Sequence, residues 1–192
     1  MLNLIKIAIT GSIATGKSSA LKVFEKFDSY TLSADKIVHK LLKEDQILKK
    51  NITDLLGEEV IEQNELNRKK IAKKVFICPE KLKSLENLIH PKVLDYIEKT
   101  YEKISRDKKY KLFVVEMPLI YEMQKENFFD IILVISAKEK IAKERYKESD
   151  FEIRKNLQMS LNQKEKKATY IIENNSTIKS LENKVYKFIT TL

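Results

Sequence analysis

The amino-acid sequence predicts an α/β domain: five short parallel strands with helical crossovers, and three observations carry that prediction. Short apolar runs at residues 4–10, 112–115 and 131–135 have the pattern of strands covered on both faces. Between them lie long charged segments whose apolar residues recur at helical spacing. Glycine is scarce, with three residues in a chain of 192 where average usage gives about thirteen. That scarcity excludes many-turned β-sandwiches, collagen-like repeats and Gly-rich linkers. A chain of this length buries roughly 70% of its unfolded surface and needs no covalent staple.

The opening segment reads as a buried strand and not a leader, because Lys6 interrupts it and no small-residue cleavage site follows. It stops at Gly11. A helix follows from residue 17, with Leu21, Phe24 and Phe27 on one face, then a second strand at 30–32. The next helix opens near Ser33-Ala34-Asp35 and carries Ile37, Val38, Leu41 and Leu42. Residues 45–107 read as almost wholly helical. Leu66, Ile71, Val75 and Phe76 mark one segment, and Leu82, Leu85, Leu88 and Ile89 a second. Val93, Leu94, Ile97 and Tyr101 mark a third, begun after His90-Pro91 with proline in its first turn. Strands resume at 112–115 and 131–135; helices are expected at 137–148 and 151–168, a last strand at 170–172 and a closing amphipathic helix at 178–189. The expected organisation is a single domain over 1–192, with a core of about 1–44, 108–139 and 169–192, a helical insertion of about 45–107 and a charged helical flap of about 140–168.

Charged residues form 34% of the chain and the net charge is +9, which invites a polyanionic partner. Yet the lysines are dispersed and accompanied by acids, as in Lys138-Glu139-Lys140 and Lys164-Glu165-Lys166-Lys167, the ordinary pattern of solvated helix faces. The single cysteine, Cys78, has no partner for an internal disulfide and is expected to be a buried small apolar residue in a protein of a reducing compartment. No apolar run approaches the roughly 18 residues of a membrane span. The expectation is a soluble, cytoplasmic protein with no membrane and no nucleic-acid partner.

The most specific signal is Gly11, Ser12, Ile13, Ala14, Thr15, Gly16, Lys17, Ser18, which satisfies G-x-x-x-x-G-K-S/T between a strand and a helix, the context this phosphate-binding motif demands. Glycine lets the backbone curl so that successive N–H groups point at phosphate oxygens, and the helix start adds positive charge. ATP is the expected ligand. Lys17 would reach the β- and γ-phosphates, Ser18 would take a place on Mg²⁺, and Ser19 with the backbone of Ala14 and Thr15 would complete the cradle. The glycine distribution then filters function. A GTP switch needs a glycine after its third strand and a base-reading Asn-Lys-x-Asp, but no glycine follows Gly57 and Asn183-Lys184 continues with Val185-Tyr186. An ABC-type ATPase fails on the same ground. A small-molecule kinase remains.

In a parallel sheet, ligands gather at the carboxyl ends of the strands. Asp35 follows the second strand, as a base for an attacking hydroxyl or as a helix cap. Glu116 ends Leu112-Phe-Val-Val, as a magnesium-holding acid or a solvated strand-end charge. Arg68, Arg145 and Arg154 stand out because guanidinium groups bind phosphate bidentately. His39 reads as a helix-face residue and His90 as either a structural or a ligand-contacting histidine.

Taken in order, these pieces resemble the dephospho-coenzyme A kinase family along nearly the whole chain. The matching segments are Ile9-Thr10-Gly11 through Ser19; Ser33-Ala-Asp35-Lys-Ile-Val38; Leu66-Asn-Arg68 with Val75-Phe76 and Pro79; Leu88-Ile-His90-Pro91; Val114-Val-Glu116-Met-Pro118-Leu-Ile-Tyr-Glu122; Gln158-Met-Ser-Leu161 with Lys164 and Ala168; and Ile171-Ile-Glu-Asn174-Asn175. The resemblance implies a P-loop kinase fold with a helical acceptor-binding insertion and a helical lid. The implied activity is transfer of the ATP γ-phosphate to the ribose 3′-hydroxyl of dephospho-coenzyme A. It also implies roles: Asp35 as base; Arg68, His90, Pro118, Leu119 and Glu122 around the acceptor; Thr10 near the reacting groups; Asn174 beside the adenine; Lys17, Arg145 and Arg154 on the transferring phosphate. Two departures stand out. Ser33 replaces the first acid of the family's Asp-Ala-Asp, and Lys143, Arg145 and Lys147 occupy a shortened lid stretch where an arginine pair is expected. Arg154, four residues before Gln158, keeps its spacing. The alternatives are another small P-loop nucleotide or nucleoside kinase and a nucleic-acid-dependent ATPase.

Overall fold

The computed structural model describes residues 4–107 and 109–192, so residues 1–3 and 108 of the expected core lie outside it. The chain runs β1 (Ile5–Thr10), α1 (Lys17–Phe24), β2 (Ser29–Ser33), α2 (Ala34–Glu44), α3 (Gln46–Leu56), β3 (Ile61–Glu62), β4 (Glu65–Leu66), α4 (Arg68–Phe76) and α5 (Pro79–Ser105). It continues through β5 (Leu112–Glu116), β6 (Ile131–Ser136), α6 (Glu139–Arg145), α7 (Phe151–Asn156), α8 (Leu161–Lys167), β7 (Tyr170–Glu173) and α9 (Ile178–Ile189). The described residues fall into two compact units, one of residues through Ser33 with Tyr101–Leu192 and the other Ala34–Thr100. Among them no helix is long and apolar enough to cross a membrane.

The first unit is built on a five-stranded sheet in the order β2-β5-β1-β6-β7, with every pairing parallel. The two-residue period of a strand separates its faces. Ile7, Ile9, Leu112, Val114, Leu133 and Ile135 lie in one buried cluster with Leu21, Phe24, Val185 and Phe188 of α1 and α9. The alternate residues Ala8, Phe113, Val115, Ile132 and Val134 are buried too. Phe113 meets Tyr101 edge-on at 5.4 Å and stacks on Tyr30 at 6.1 Å. Full burial of each large side chain contributes about 1.5–3 kcal/mol, which fixes the register. That register sets Ser33 beside Glu116 at the carboxyl edge of the sheet.

The second unit has its own core of Leu48, Ile52, Leu56, Val60, Ile71, Val75 and Leu85. Two expectations change here. Residues 61–66 are a small antiparallel hairpin and not helix, with Ile61 opposite Leu66 and Glu62 opposite Glu65. Gln63 and Asn64 turn it at φ 48° and 62°, the left-handed pair that a two-residue hairpin requires; glutamine at the first position hides the signal. The helix expected to begin after Pro91 is continuous with the one before it. Pro91 sits inside the 27-residue α5, while Pro79 takes the helix-starting role. Leu85, Val93 and Ile97 are buried at helical spacing across the proline, and that burial outweighs an interior-proline cost of about 3 kcal/mol.

Two smaller expectations also change. The helix expected over 151–168 is broken at 157–160, where Ser160 caps α8 in a capping box with Gln163. Cys78 is half-buried and not buried. Many surface lysines pair with acids one helical turn away, as Lys40–Glu44, Lys50–Asp54 and Lys99–Asp95 do.

Asp45 caps α3, accepting from the Leu48 N–H at 2.8 Å, and pairs with Lys92 at 2.6 Å. Lys92 and that backbone amide hold the carboxyl below its ordinary pKa. A lowered folded pKa stabilises the fold fully above the unfolded value and loses that contribution as pH falls through the folded one. Asp45→Ala should therefore cost about 1–2 kcal/mol at neutral pH by urea denaturation, and the deficit should shrink as the pH falls below the ordinary aspartate value of 3.8.

Candidate active site

β1 ends at Thr10 in the centre of the sheet, and residues 11–16 must turn the chain into α1. Gly11, at φ 145°, passes so close to β6 that a Cβ would stand 2.3 Å from the Ile135 carbonyl oxygen. Gly16, at φ 102°, precedes α1, and a Cβ there would stand 2.4 Å from Asn174 Nδ2. Ala14 adopts φ 55° without being glycine, at a cost of about 1–2 kcal/mol. The curl is held by two hydrogen bonds: Thr15 Oγ1 donates to the Ser12 carbonyl at 3.0 Å, and buried Asn174 donates Nδ2–H to the Thr15 carbonyl at 2.8 Å. No side chain caps the start of α1, so its first amides and its positive end are left to an anion.

Around this loop the charged groups converge. Lys17 Nζ donates to the Ser12 carbonyl at 2.7 Å, across the loop it would fill with phosphate. Ser18 Oγ donates to Glu116 Oε1 at 2.7 Å, and Glu116 is buried. A hydroxyl and a carboxylate side by side are hard oxygen donors that suit Mg²⁺ when substrate phosphates complete its shell. Among the described residues no three or more His, Cys, Asp or Glu gather as a metal site. A cavity of about 540 Å³ opens beside the loop, lined by Ala14, Gly16, Lys17, Ser18, Ser19 and Glu116 together with Arg145, Asn174, Ser176 and Ile178. Arg145 is aimed by two backbone carbonyls, donating to Asn174 at 2.9 Å and to Ser176 at 3.0 Å.

On the other flank, Ser12 and Thr15 face a second cavity of about 350 Å³ lined also by Glu139, Lys155 and Gln158. The flap cations here are paired. Lys143 binds Glu139 at 3.2 Å and Glu152 at 2.5 Å, Lys155 binds Glu139 at 2.8 Å, and Arg154 binds Asp150 at 2.7 Å. These pairs are 23–55% exposed, and such pairs contribute only about 0–1 kcal/mol.

The remaining predicted residues fall in two places. Thr10 Oγ1 donates to the Pro118 carbonyl at 3.2 Å, Leu119 and Ile13 are half-buried, and Glu122 is engaged with Lys164 and the Met159 amide. Asp35, Arg68 and His90 belong to the second unit. Asp35 lies in the first turn of α2, two residues beyond Ser33. Arg68 Nη1 is 3.4 Å from His39 Nδ1; arginine only donates, so that ring nitrogen accepts. His90 is in α5, just before Pro91. Sequence reading gives no place to Ser176 and Ile178 beside the loop, to Lys155, or to the burial of Lys164, because lysines on charged helices look alike until packing sorts them.

A central strand, a glycine-turned phosphate loop, an uncapped helix start and a paired serine and strand-end carboxylate define a P-loop phosphotransferase. The particular relationship is equally plain. Residues 5–180 match the family model described as dephospho-CoA kinase, and the chain belongs to that family. It is 41% identical over 191 residues to the dephospho-CoA kinase of Chlamydia muridarum, covering 96% of this chain and 95% of that protein. Among solved structures, the dephospho-CoA kinase from Campylobacter jejuni superposes with a TM-score of 0.72 at 28% identity, covering 96% and 95% of the two chains. TT1252 from Thermus thermophilus gives a TM-score of 0.79 at 26% identity, covering 99% and 98%.

Gly16→Ala introduces both a forbidden φ and a clash with Asn174 on the loop's support. It should weaken ATP binding at least tenfold, on the order of 1.4 kcal/mol or more, in equilibrium titration. ATP affinity within twofold of the unaltered chain would contradict the assigned loop geometry.

Proposed function

We propose that the chain transfers the γ-phosphate of ATP to the ribose 3′-hydroxyl of dephospho-coenzyme A, giving coenzyme A and ADP, in the cytoplasm and with Mg²⁺. The observation that carries this reading is the family match over residues 5–180 on a chain whose phosphate loop is fully formed. The lone cysteine supports a reducing compartment.

Little covalent chemistry is asked of the protein in such a transfer; positioning and charge neutralisation supply most of the acceleration. The amides of residues 11–18 and Lys17 hold the β- and γ-phosphates in line. Ser18 and Glu116 would hold Mg²⁺, which when bound neutralises charge on those phosphates. Arg154, released from Asp150, would bring its guanidinium to the transferring group. Arg145, anchored to the Asn174 and Ser176 carbonyls on the cavity lining, is suited to the flat face of the base as well as to phosphate. Asp35 would accept the proton of the 3′-hydroxyl. Ser33 stands beside Glu116 where the family pattern has an acid, which removes a like charge from the neighbourhood of Glu116.

Residues 45–107 are proposed as the acceptor-binding insertion and 140–168 as the lid, whose closure would exclude water and limit ATP hydrolysis. Two rivals are a nucleotide kinase and a nucleic-acid-dependent ATPase. The Leu-Ile-His90-Pro91 and Met-Pro118-Leu-Ile-Tyr-Glu122 segments favour the present reading over the first. Lysines paired with acids along the helices favour it over the second.

Asp35→Asn should lower turnover with dephospho-coenzyme A by about 100-fold or more while ATP affinity changes less than twofold. Nucleoside monophosphates offered in its place should give no phosphorylated product. Near-normal turnover of the variant would remove Asp35 as the base, and efficient transfer to a nucleoside monophosphate would favour the rival kinase.

A further inference from the structure

Lys164 lies in the middle of α8 with no exposed surface, the most deeply buried charged side chain among the described residues. Its Nζ donates to Glu122 Oε1 at 3.0 Å and to the Pro118 carbonyl at 2.5 Å. Each acceptor also serves a second donor. The Pro118 carbonyl takes the Thr10 hydroxyl at 3.2 Å, and Glu122 Oε1 takes the Met159 backbone N–H at 2.7 Å. One ammonium thus ties together three segments. They are the end of β1 immediately ahead of Gly11, residues 118–122 beyond β5, and the turn at 157–160 that joins α7 to α8.

Stability alone gives no reason for a lysine here. Burying an ammonium and a carboxylate is costly, and well-packed apolar replacements of buried ion pairs are often neutral or stabilising. Burial pushes the Lys164 pKa down, with Glu122 acting against that shift. Glu122 Oε2 is itself buried without a hydrogen-bond partner, so the carboxylate depends on Lys164 for compensation. A methionine would fill the same space in α8. It would not donate to Pro118, nor hold Glu122 against Met159.

We propose that Lys164 is a positioning residue for phosphoryl transfer, holding residues 118–122 in register with the phosphate loop and with the lid's return turn. It touches neither substrate. The proposal rests on the reading that residues 118–122 wall the dephospho-coenzyme A site. It has kinetic consequences because a wall held out of place loses contacts to the acceptor in ground and transition state alike, which raises the acceptor KM.

The test is steady-state kinetics of the full chain with ATP and dephospho-coenzyme A, run with thermal unfolding, on Lys164→Met and on the double variant Glu122→Gln with Lys164→Met. In the single variant, the KM for dephospho-coenzyme A should rise about tenfold or more while that for ATP stays within about twofold; the unfolding midpoint should fall, because Glu122 is left uncompensated. In the double variant no buried charge is stranded, and the carboxamide oxygen introduced by Glu122→Gln can still accept from the Met159 N–H. Its midpoint should return to the unaltered value or above it, yet the acceptor KM should stay raised. Recovery of the acceptor KM in the double variant would overturn the proposal, showing that Lys164 serves folding alone. A double variant that does not fold, or a KM for ATP that rises in step, would overturn it too. If the unaltered chain transfers phosphate and Lys164→Met leaves the acceptor KM unmoved, this inference alone fails. If the unaltered chain transfers none, the functional reading fails and takes the inference with it.

Discussion

The close passage of residue 11 against the Ile135 carbonyl governs the site. β1 is the central strand, buried on both faces, and it delivers the chain to the carboxyl edge with no freedom to shift. From there the backbone must reverse within a few residues and start a helix whose free amides face a ligand. Only a residue without Cβ passes β6 at position 11, and only one with positive φ turns into α1 at position 16. Once those two points are set, the positions of Lys17, Ser18 and Asn174 follow from the helix start and from the register of β5, β6 and β7.

Two kinds of charge pairing divide the labour around that loop. Lys143, Arg154 and Lys155 sit in partly exposed pairs with the nearby acids Glu152, Asp150 and Glu139. Water and salt screen such pairs, so they are exchangeable. Lys164 and Glu122 form the opposite case. The ammonium is fully buried, Glu122 Oε2 is buried as well, and the pair shares its acceptors with groups on other segments, so removing the lysine would leave that oxygen without compensation. The exchangeable pairs suit the lid proposed for residues 140–168, and the pair on the buried ammonium suits the fixed wall proposed for residues 118–122.

Much of the fold is legible in the sequence because buried parallel strands announce themselves as apolar runs and the phosphate loop announces itself by spacing. The closing helix at Ile178–Ile189 and the last strand near Tyr170 follow from periodicity. The sequence misleads where local chemistry is ambiguous. Gln63 conceals a hairpin turn, Pro91 reads as a helix start although burial on both sides carries the helix through it, and the Ser160–Gln163 capping box is submerged in a charged run. At the site, the loop and Glu116 are legible from their place at strand ends. The engagement of Glu122, and the lysine that engages it, are not, since a buried lysine on a charged helix differs from its neighbours only through what packs on it.

The most direct measurement follows phosphorus. With ATP, Mg²⁺ and dephospho-coenzyme A, ³¹P NMR of the reaction should show ATP consumed in equal measure with ADP formation and the growth of one new phosphomonoester, assigned to the ribose 3′-carbon. Release of inorganic phosphate with ADP and no such ester, or an ester elsewhere on the acceptor, would contradict transfer to that hydroxyl.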